Sequence, residues 1–303
     1  MIFAILNSIE YPVSRNHYLH IKKFSLGFVQ NGYTVIELNK VEDILLLGPD
    51  SYVYVSSHYY TEKIRRPFRT FLHNKLVKFL KNTKAAPILW SFHDVPNVEK
   101  HLINKKHIYL TENYSEDWIK KESKLKFYNN KVHHRLIYSS CYDDRMDYSD
   151  LPWEIDLKHS FNYVGSVYKK KILNAIKNNP RYKSEILFYP PVQNEIKRIN
   201  SFSSSSINLV FHSDFNIEKR IITERFPEAM SMGNFIIHDH PKISEDFVSK
   251  GIVYYDSINH IYDLIDRLRL EDVLESSKLN YILWQNSKMS YRKQAIEIIN
   301  IIK

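Results

Sequence analysis

Apolar runs too short for helices alternate with helical-period segments from one end of the chain to the other. "IFAIL", "SYVYVSS" and "PILWSF" lie in the first half, and "SFNYVGS", "EILFY", "INLVFHS", "NFIIHD" and "GIVYY" in the second. Strands apolar on both sides belong to parallel sheets covered on both faces, and the segments between them supply the crossover helices. The spacing predicts helices over 20–31, closed by Gly32, and over Pro67–Lys81, where Phe68, Phe71, Leu72, Leu76, Phe79 and Leu80 recur at helical intervals. Others are expected from about Tyr168, near Val192–Phe202, within "TERFPEAMSMG", in "INHIYDLIDRL" and over Lys288–Ile302. An all-β protein or a helical bundle is excluded.

The pattern restarts at "SFNYVGS", after the acidic, aperiodic stretch "YDDRMDYSDLPWEIDLK", which has the character of a linker. With 303 residues and 44% hydrophobic content, two cores are expected. The predicted units are residues 1–155, residues 156–287, and a C-terminal helix over 288–303 that packs back toward the first unit. The fold class is α/β, two doubly wound Rossmann-like domains facing a central cleft lined by the C-terminal ends of both sheets, where open α/β sheets take ligands. No apolar run of about 18 residues and no cleavable leader is present, so a soluble cytoplasmic protein is expected. Cys141, the one cysteine, leaves no intramolecular disulfide and no cysteine metal cluster.

"TERFPEAMSMGNFIIHD" carries the strongest chemical signal. Proline is tolerated in the first turn of a helix, so Pro227 starts the helix near Glu224 or Arg225, and Gly233 ends it before a strand. An arginine at that positive end is unfavourable unless an anion such as a diphosphate is bound, and Glu228 one turn on offers two acceptors to the paired hydroxyls of a ribose. The competing reading is an Arg225–Glu228 pair at i, i+3 on a solvated face.

Two further turns follow strands. In "FNYVGSVYKKK", Gly165 and Ser166 stand where a backbone amide and a hydroxyl can meet phosphate, with Lys169 and Lys170 beside them. In "PILWSFHDVPN", Asp94 follows an apolar strand where a base for an acceptor hydroxyl would be needed; His93 is the alternative base, and an Asx turn before Pro96 the structural one.

The segment "ITERFPEAMSMGNFIIHD" resembles the donor-nucleotide segment of GT-B glycosyltransferases, and "GS" resembles the turn that opens their second domain. Many retaining GT-B families carry a further glutamate eight residues before the one at 228; Arg220 stands there in this chain. "FHD", "GS" and the Arg225–Glu228 segment occur in the same order and similar spacing in the T-even phage DNA β-glucosyltransferases, and the last segment also resembles spore-maturation-type glycosyltransferases. The resemblance implies an inverting transferase with Asp94 as base. Gly165, Ser166, Lys169, Lys170, Arg225 and Glu228 would hold a nucleoside diphosphate sugar, a UDP-sugar for preference, with no metal or other cofactor required. It also implies an acceptor in duplex DNA bearing hydroxymethylated bases, and a cytoplasmic location in the producing or infected cell.

Charge is consistent with such an acceptor. Residues 1–150 carry a net +6 against +3 for the remainder, and Arg65, Arg66, Arg69, Lys75 and Lys78 belong to a basic run between Thr61 and Lys84, several of whose residues fall opposite the apolar stripe of the Pro67–Lys81 helix. An ordinary solvated helix face is the alternative. A surface-glycan acceptor, or a non-catalytic nucleotide-sugar-binding protein, would use the same donor segment. "DDRMD" sits in the linker rather than after a strand, and "HDH" and His133–His134 lack a third ligand at readable spacing, so no metal is assigned.

Overall fold

The computed structural model describes residues 1–6, 24–56, 66–91, 107–111, 131–135, 161–165, 169–181, 184–188, 202 and 205–302. The chain divides into two compact units, Met1–Ile137 with Tyr291–Lys303, and Tyr138–Ser290.

The first unit holds six parallel strands: β1 (Ile2–Leu6), β2 (Thr34–Leu38), β3 (Ser51–Ser56), β4 (Ala86–Ser91), β5 (His107–Thr111) and β6 (Lys131–Arg135). Their order is β2-β1-β3-β4-β5-β6, with the switch in direction between β1 and β3. Side chains alternate across a strand, so β1 shows why its sequence is apolar throughout. Ala4 and Leu6 face a 3-10 helix (Val41–Leu46) and α2 (Arg66–Asn82) through Val41, Ile44, Leu76, Val77 and Leu80. Phe3 and Ile5 face the opposite way, onto Phe24 and Phe28 of α1 (residues 24–30) and onto Tyr291, Ala295, Ile298 and Ile299 of α9 (Tyr291–Ile302). Phe3 and Phe28 stack at 3.8 Å between centroids. The last helix is thus a core element of the first unit, and Gly27 gives it room: a Cβ there would fall onto the backbone carbonyl of Tyr291.

The second unit holds β7 (Phe161–Gly165), β8 (Ser184–Phe188), β9 (Ile207–Val210), β10 (Phe235–His238) and β11 (Ile252–Tyr254), all parallel, in the order β11-β10-β9-β7-β8. One face packs on α3 (Lys170–Lys177), α7 (Ile258–Arg267) and Val273 of α8 (Leu270–Asn286) through Tyr163, Ile207, Leu209, Phe235 and Ile237. Helix α5 (Arg225–Ser231) packs against α8 and β10. Short helices α4 (Asp214–Glu218) and α6 (Pro241–Asp246) follow β9 and β10.

The buried face of α8 is polar. Asn280 donates from Nδ2 to the carbonyls of Asn234 (2.8 Å) and Gly251 (3.0 Å) and accepts from the Ser249 hydroxyl (2.7 Å). Those bonds tie α8 to the chain at the starts of two strands, the Gly251 carbonyl also accepting from the Ile236 amide at 2.7 Å. Among the described residues no helix is long and apolar enough to cross a membrane.

Candidate nucleotide-binding site

The switch of direction in the second sheet falls between β7 and β9, the position at which open α/β sheets bind ligands. Strands β7 and β8 pair along all five residues, but β7 and β9 pair only at Phe161↔Ile207 and Asn162↔Asn208. Tyr163 and Gly165, two apart and therefore on one face, lie beyond that last pair.

Onto them comes Arg225, the first residue of α5. Its Nη1 donates to the Tyr163 hydroxyl at 2.9 Å, and its Cζ lies 5.4 Å from the centre of the Tyr163 ring. Gly165 has φ +143°, and a Cβ built on it would meet Nη1 at 2.8 Å, Cζ at 3.1 Å and Cδ at 3.3 Å. The guanidinium therefore lies where any other residue's side chain would begin. Two segments 60 residues apart in sequence meet here because a glycine leaves the space an arginine fills.

Arg225 is 9% exposed and Glu228 6%. The solvated-face reading of this pair therefore fails. The helix starts at Arg225 with Pro227 in its first turn, and Gly233 follows its end, as the sequence requires. Arg220 turns the chain with φ 55° and pairs with the carboxylate of Glu245, away from any glutamate pattern.

Lys169 caps α3 in a left-handed conformation (φ 53°) and pairs with Asp214 at 3.8 Å, while Lys170 is exposed. Ser166 and Asp94 lie outside the described residues, as does Arg65. Arg66 and Arg69 are placed by the backbone of α2 alone. Lys75 holds Glu42 at 2.6 Å, and Lys78 is exposed. As a crossover between parallel strands, α2 has Arg66 at the C-terminal edge of the sheet and runs toward the opposite edge, so Lys78 stands roughly 18 Å along the axis from Arg66.

A buried cluster beside Arg225 has no counterpart in the sequence reading. His212 follows β9 and Asp239 follows β10. The Asp239 carboxylate accepts from the His212 backbone amide (2.9 and 3.2 Å) and faces the ring Nδ1 at 3.0 Å. Burial, reinforced by His240 and Arg225, holds the His212 ring well below the usual histidine range. Burial raises the Asp239 carboxyl, against the pull of the His212 amide and of Lys169. The ring is therefore neutral, and the contact is a hydrogen bond to a carboxylate rather than an ion pair. His240 is also lowered by burial, and His238 is held at about 3 by the same cause. Among the described residues no three of His, Cys, Asp and Glu are grouped so as to hold a metal ion. The available signal was position: "VFHS" and "FIIHD" both place polar residues just past a strand's C-terminal end, at the ligand edge of the sheet.

Comparison with solved structures identifies the fold. An alpha-glucosyltransferase in complex with UDP and a 13-mer DNA containing an HMU base matches over 100% of this chain and 99% of its own, with a TM-score of 0.63 at 11% sequence identity. An alpha-glucosyltransferase (AGT) in complex with UDP matches with a TM-score of 0.63 at 10% identity, covering 100% of both chains. The fold is GT-B. No family model and no curated protein matches the sequence. In GT-B terms, the Tyr163–Gly165–Arg225 contact belongs to the second Rossmann-like domain, where the sequence motifs place the nucleotide.

Proposed function

We propose that this chain is a glycosyltransferase that moves a sugar from a UDP-sugar to the hydroxyl of a hydroxymethylated pyrimidine in duplex DNA. The observation that carries the donor half is the seating of Arg225 on Tyr163 and Gly165, past the point where β7 and β9 stop pairing, in a GT-B fold. A guanidinium presents five N–H donors in a rigid fork suited to phosphate oxygens, and a buried one acts through a lower dielectric than water. The acceptor half is supported by the HMU-containing DNA bound to a protein of the same fold, and by the basic residues of α2.

The reaction forms a bond between the acceptor oxygen and the anomeric carbon and breaks the bond from that carbon to the diphosphate. Asp94 takes the acceptor proton, and the electron pair of the broken bond leaves with UDP. Arg225, with Gly165, Ser166, Lys169 and Lys170, stabilises the charge that develops on the departing diphosphate. Glu228 holds the ribose hydroxyls. Arg66 and Arg69, which the start of α2 brings to the edge of the sheet where ligands bind, contribute more to DNA phosphate contacts than Lys75, already paired with Glu42, and Lys78, farther along α2, and Arg65 joins them.

The decisive experiment is calorimetry with UDP alongside transfer assays on matched duplexes. Arg225→Ala weakens UDP binding, and unchanged affinity would reject the nucleotide reading. Asp94→Asn abolishes transfer but leaves UDP binding intact; transfer that persists removes Asp94 from the role of base. Transfer to a hydroxymethylated duplex and not to a plain one, with affinity falling steeply as salt rises, supports the DNA acceptor. Transfer to a glycan alone would replace it. Inversion is checked by the anomeric configuration of the product, and retention would require a different role for Asp94.

A further inference from the structure

Arg225 needs its backbone held in place as well as its guanidinium, and the segment before it is fixed by a side chain from another strand end. The His212 ring is completely buried, and Asp239 is 4% exposed. Nδ1 of the ring faces the Asp239 carboxylate at 3.0 Å, so Nδ1 carries the proton and Nε2 is left as an acceptor. The Thr223 backbone amide points at Nε2 from 3.4 Å. Thr223 opens the turn into α5, its carbonyl accepting from the Phe226 amide at 3.1 Å, and Arg225 is two residues on.

We propose that the His212–Asp239 pair is a positioning element of the nucleotide grip: Asp239 fixes the tautomer of His212, and Nε2 of that ring fixes the backbone that aims Arg225. His212 and Asp239 touch no substrate in this scheme. They act through Thr223, as the Tyr163 hydroxyl acts on the other end of the same arginine. The proposal rests on the reading of Arg225 as a diphosphate contact.

The pair's chemistry allows substitutions that separate the two halves of the contact. In His212→Asn the side-chain amide can still donate to Asp239, but nothing reaches the Thr223 amide. In His212→Gln an amide oxygen can stand close to where Nε2 was. In Asp239→Asn the amide oxygen takes the place of the oxygen that accepts from both the His212 amide and Nδ1, a neutral acceptor in place of a charged one, so the hold on the Nδ1 proton weakens. The experiment is UDP calorimetry and thermal melting on these three variants, on Arg225→Ala and on Arg225→Ala/His212→Asn, with nitrogen-15 spectra of the histidine rings.

His212→Asn and Asp239→Asn are each expected to weaken UDP binding about tenfold, the scale of one net hydrogen bond. His212→Gln should recover most of that loss, and the His212 ring nitrogens should report a weakened Nδ1–H bond in Asp239→Asn. In the Arg225→Ala background, His212→Asn should cause little further loss, because residues acting through one contact are not additive. UDP binding unchanged in both His212→Asn and Asp239→Asn overturns the proposal alone, as does a His212→Asn loss that persists in full without Arg225. Wild-type affinity in Arg225→Ala overturns the underlying nucleotide reading as well. Asp239→Asn, nearly isosteric, carries the test if His212→Asn fails to fold.

Discussion

Gly165→Ala tests the central contact with the smallest possible change. The new Cβ would stand 2.8 Å from Nη1, 3.1 Å from Cζ and 3.3 Å from Cδ of Arg225, all closer than normal packing, on a backbone with φ +143°. Two effects follow and can be measured separately. Backbone strain at such a φ costs about 1–3 kcal/mol for a residue with a side chain. In a unit of this size, about 2–4 °C of melting temperature is lost per kcal/mol. The guanidinium, the far end of a flexible chain, is what can move, and moving breaks its bond to the Tyr163 hydroxyl. A hydrogen bond to a charged group contributes about 1.5–3 kcal/mol, so UDP affinity should fall roughly 10- to 100-fold. Calorimetry with UDP on folded Gly165→Ala measures this directly. An affinity equal to wild type would show that the position of Arg225 on Gly165 has nothing to do with nucleotide binding, and would refute the reasoning from contact to function.

Tyr163→Phe removes one oxygen and keeps the ring in the core; the same bond is lost, so UDP affinity should again fall roughly 10- to 100-fold, and an unchanged value would leave Gly165 alone as the seat of Arg225. Acid should destabilise the second unit through its histidines. Burial holds His238 at about 3 against an ordinary 6.5, so between those values the unfolded chain binds the extra proton. Stability is full above pH 6.5 and lost as pH falls, by about 2 kcal/mol at pH 5 from His238 alone. His212 and His240, also lowered, add in the same direction, and Asp239, raised, opposes them in the range above its ordinary 3.8. His238→Asn, whose amide oxygen can replace Nδ1 as acceptor for the His240 amide, should flatten the melting profile between pH 7 and 5, and an equal slope would discount His238. Asn280→Ala removes three buried hydrogen bonds and should lower stability by about 2–4 kcal/mol, read from denaturant melts, where a loss below about 1 would contradict it. Gly27→Ala should loosen α9 from the first unit and expose the C-terminus to protease, since the clash is with backbone and cannot be relieved by a rotamer; unchanged digestion would mean α9 tolerates displacement.

The sheets were legible where strands are buried on both faces. Phe3 and Ile5 on one side of β1 and Ala4 and Leu6 on the other leave no polar position, and "INLV" and "FIIH" are buried at every position with one polar residue each, Asn208 and His238. Strand β6, "KVHHR", is an edge strand with a mostly polar sequence, which is why periodicity passes over it. Helix α8 was hidden for a different reason. Its buried positions include Ser276, Ser277 and Asn280, the last bonded to two carbonyls, so its inward face carries no full apolar stripe. In the site, Arg225, Glu228 and Gly165 were readable because a charged residue, a proline and a glycine are each restricted in where they can stand. Tyr163 was not, being one of 22 tyrosines whose hydroxyl finds its partner 62 residues away. His212 and Asp239, 27 residues apart, become a pair only when β9 and β10 lie side by side.

Gly165 shows how a residue can be singled out in the sequence for an incomplete reason. In the sequence, a glycine between a strand and a basic helix suggests a backbone that must approach phosphate closely. In the structure, the space its missing side chain leaves is taken by Arg225, so the glycine is required by an arginine before any ligand arrives. The two motifs are therefore not independent votes for a nucleotide. They are one contact written in two places, and its meaning depends on Arg225 alone. The neighbours of Arg225 bear on that meaning. His212 and His240 are kept neutral by burial, so neither competes with the guanidinium for an anion, and the one carboxylate of that cluster, Asp239, is occupied by the His212 ring and amide. An arginine buried on tyrosine and glycine, with histidines that stay uncharged around it, keeps a fixed positive charge at the sheet's ligand edge, which is what the proposed contact to a diphosphate requires.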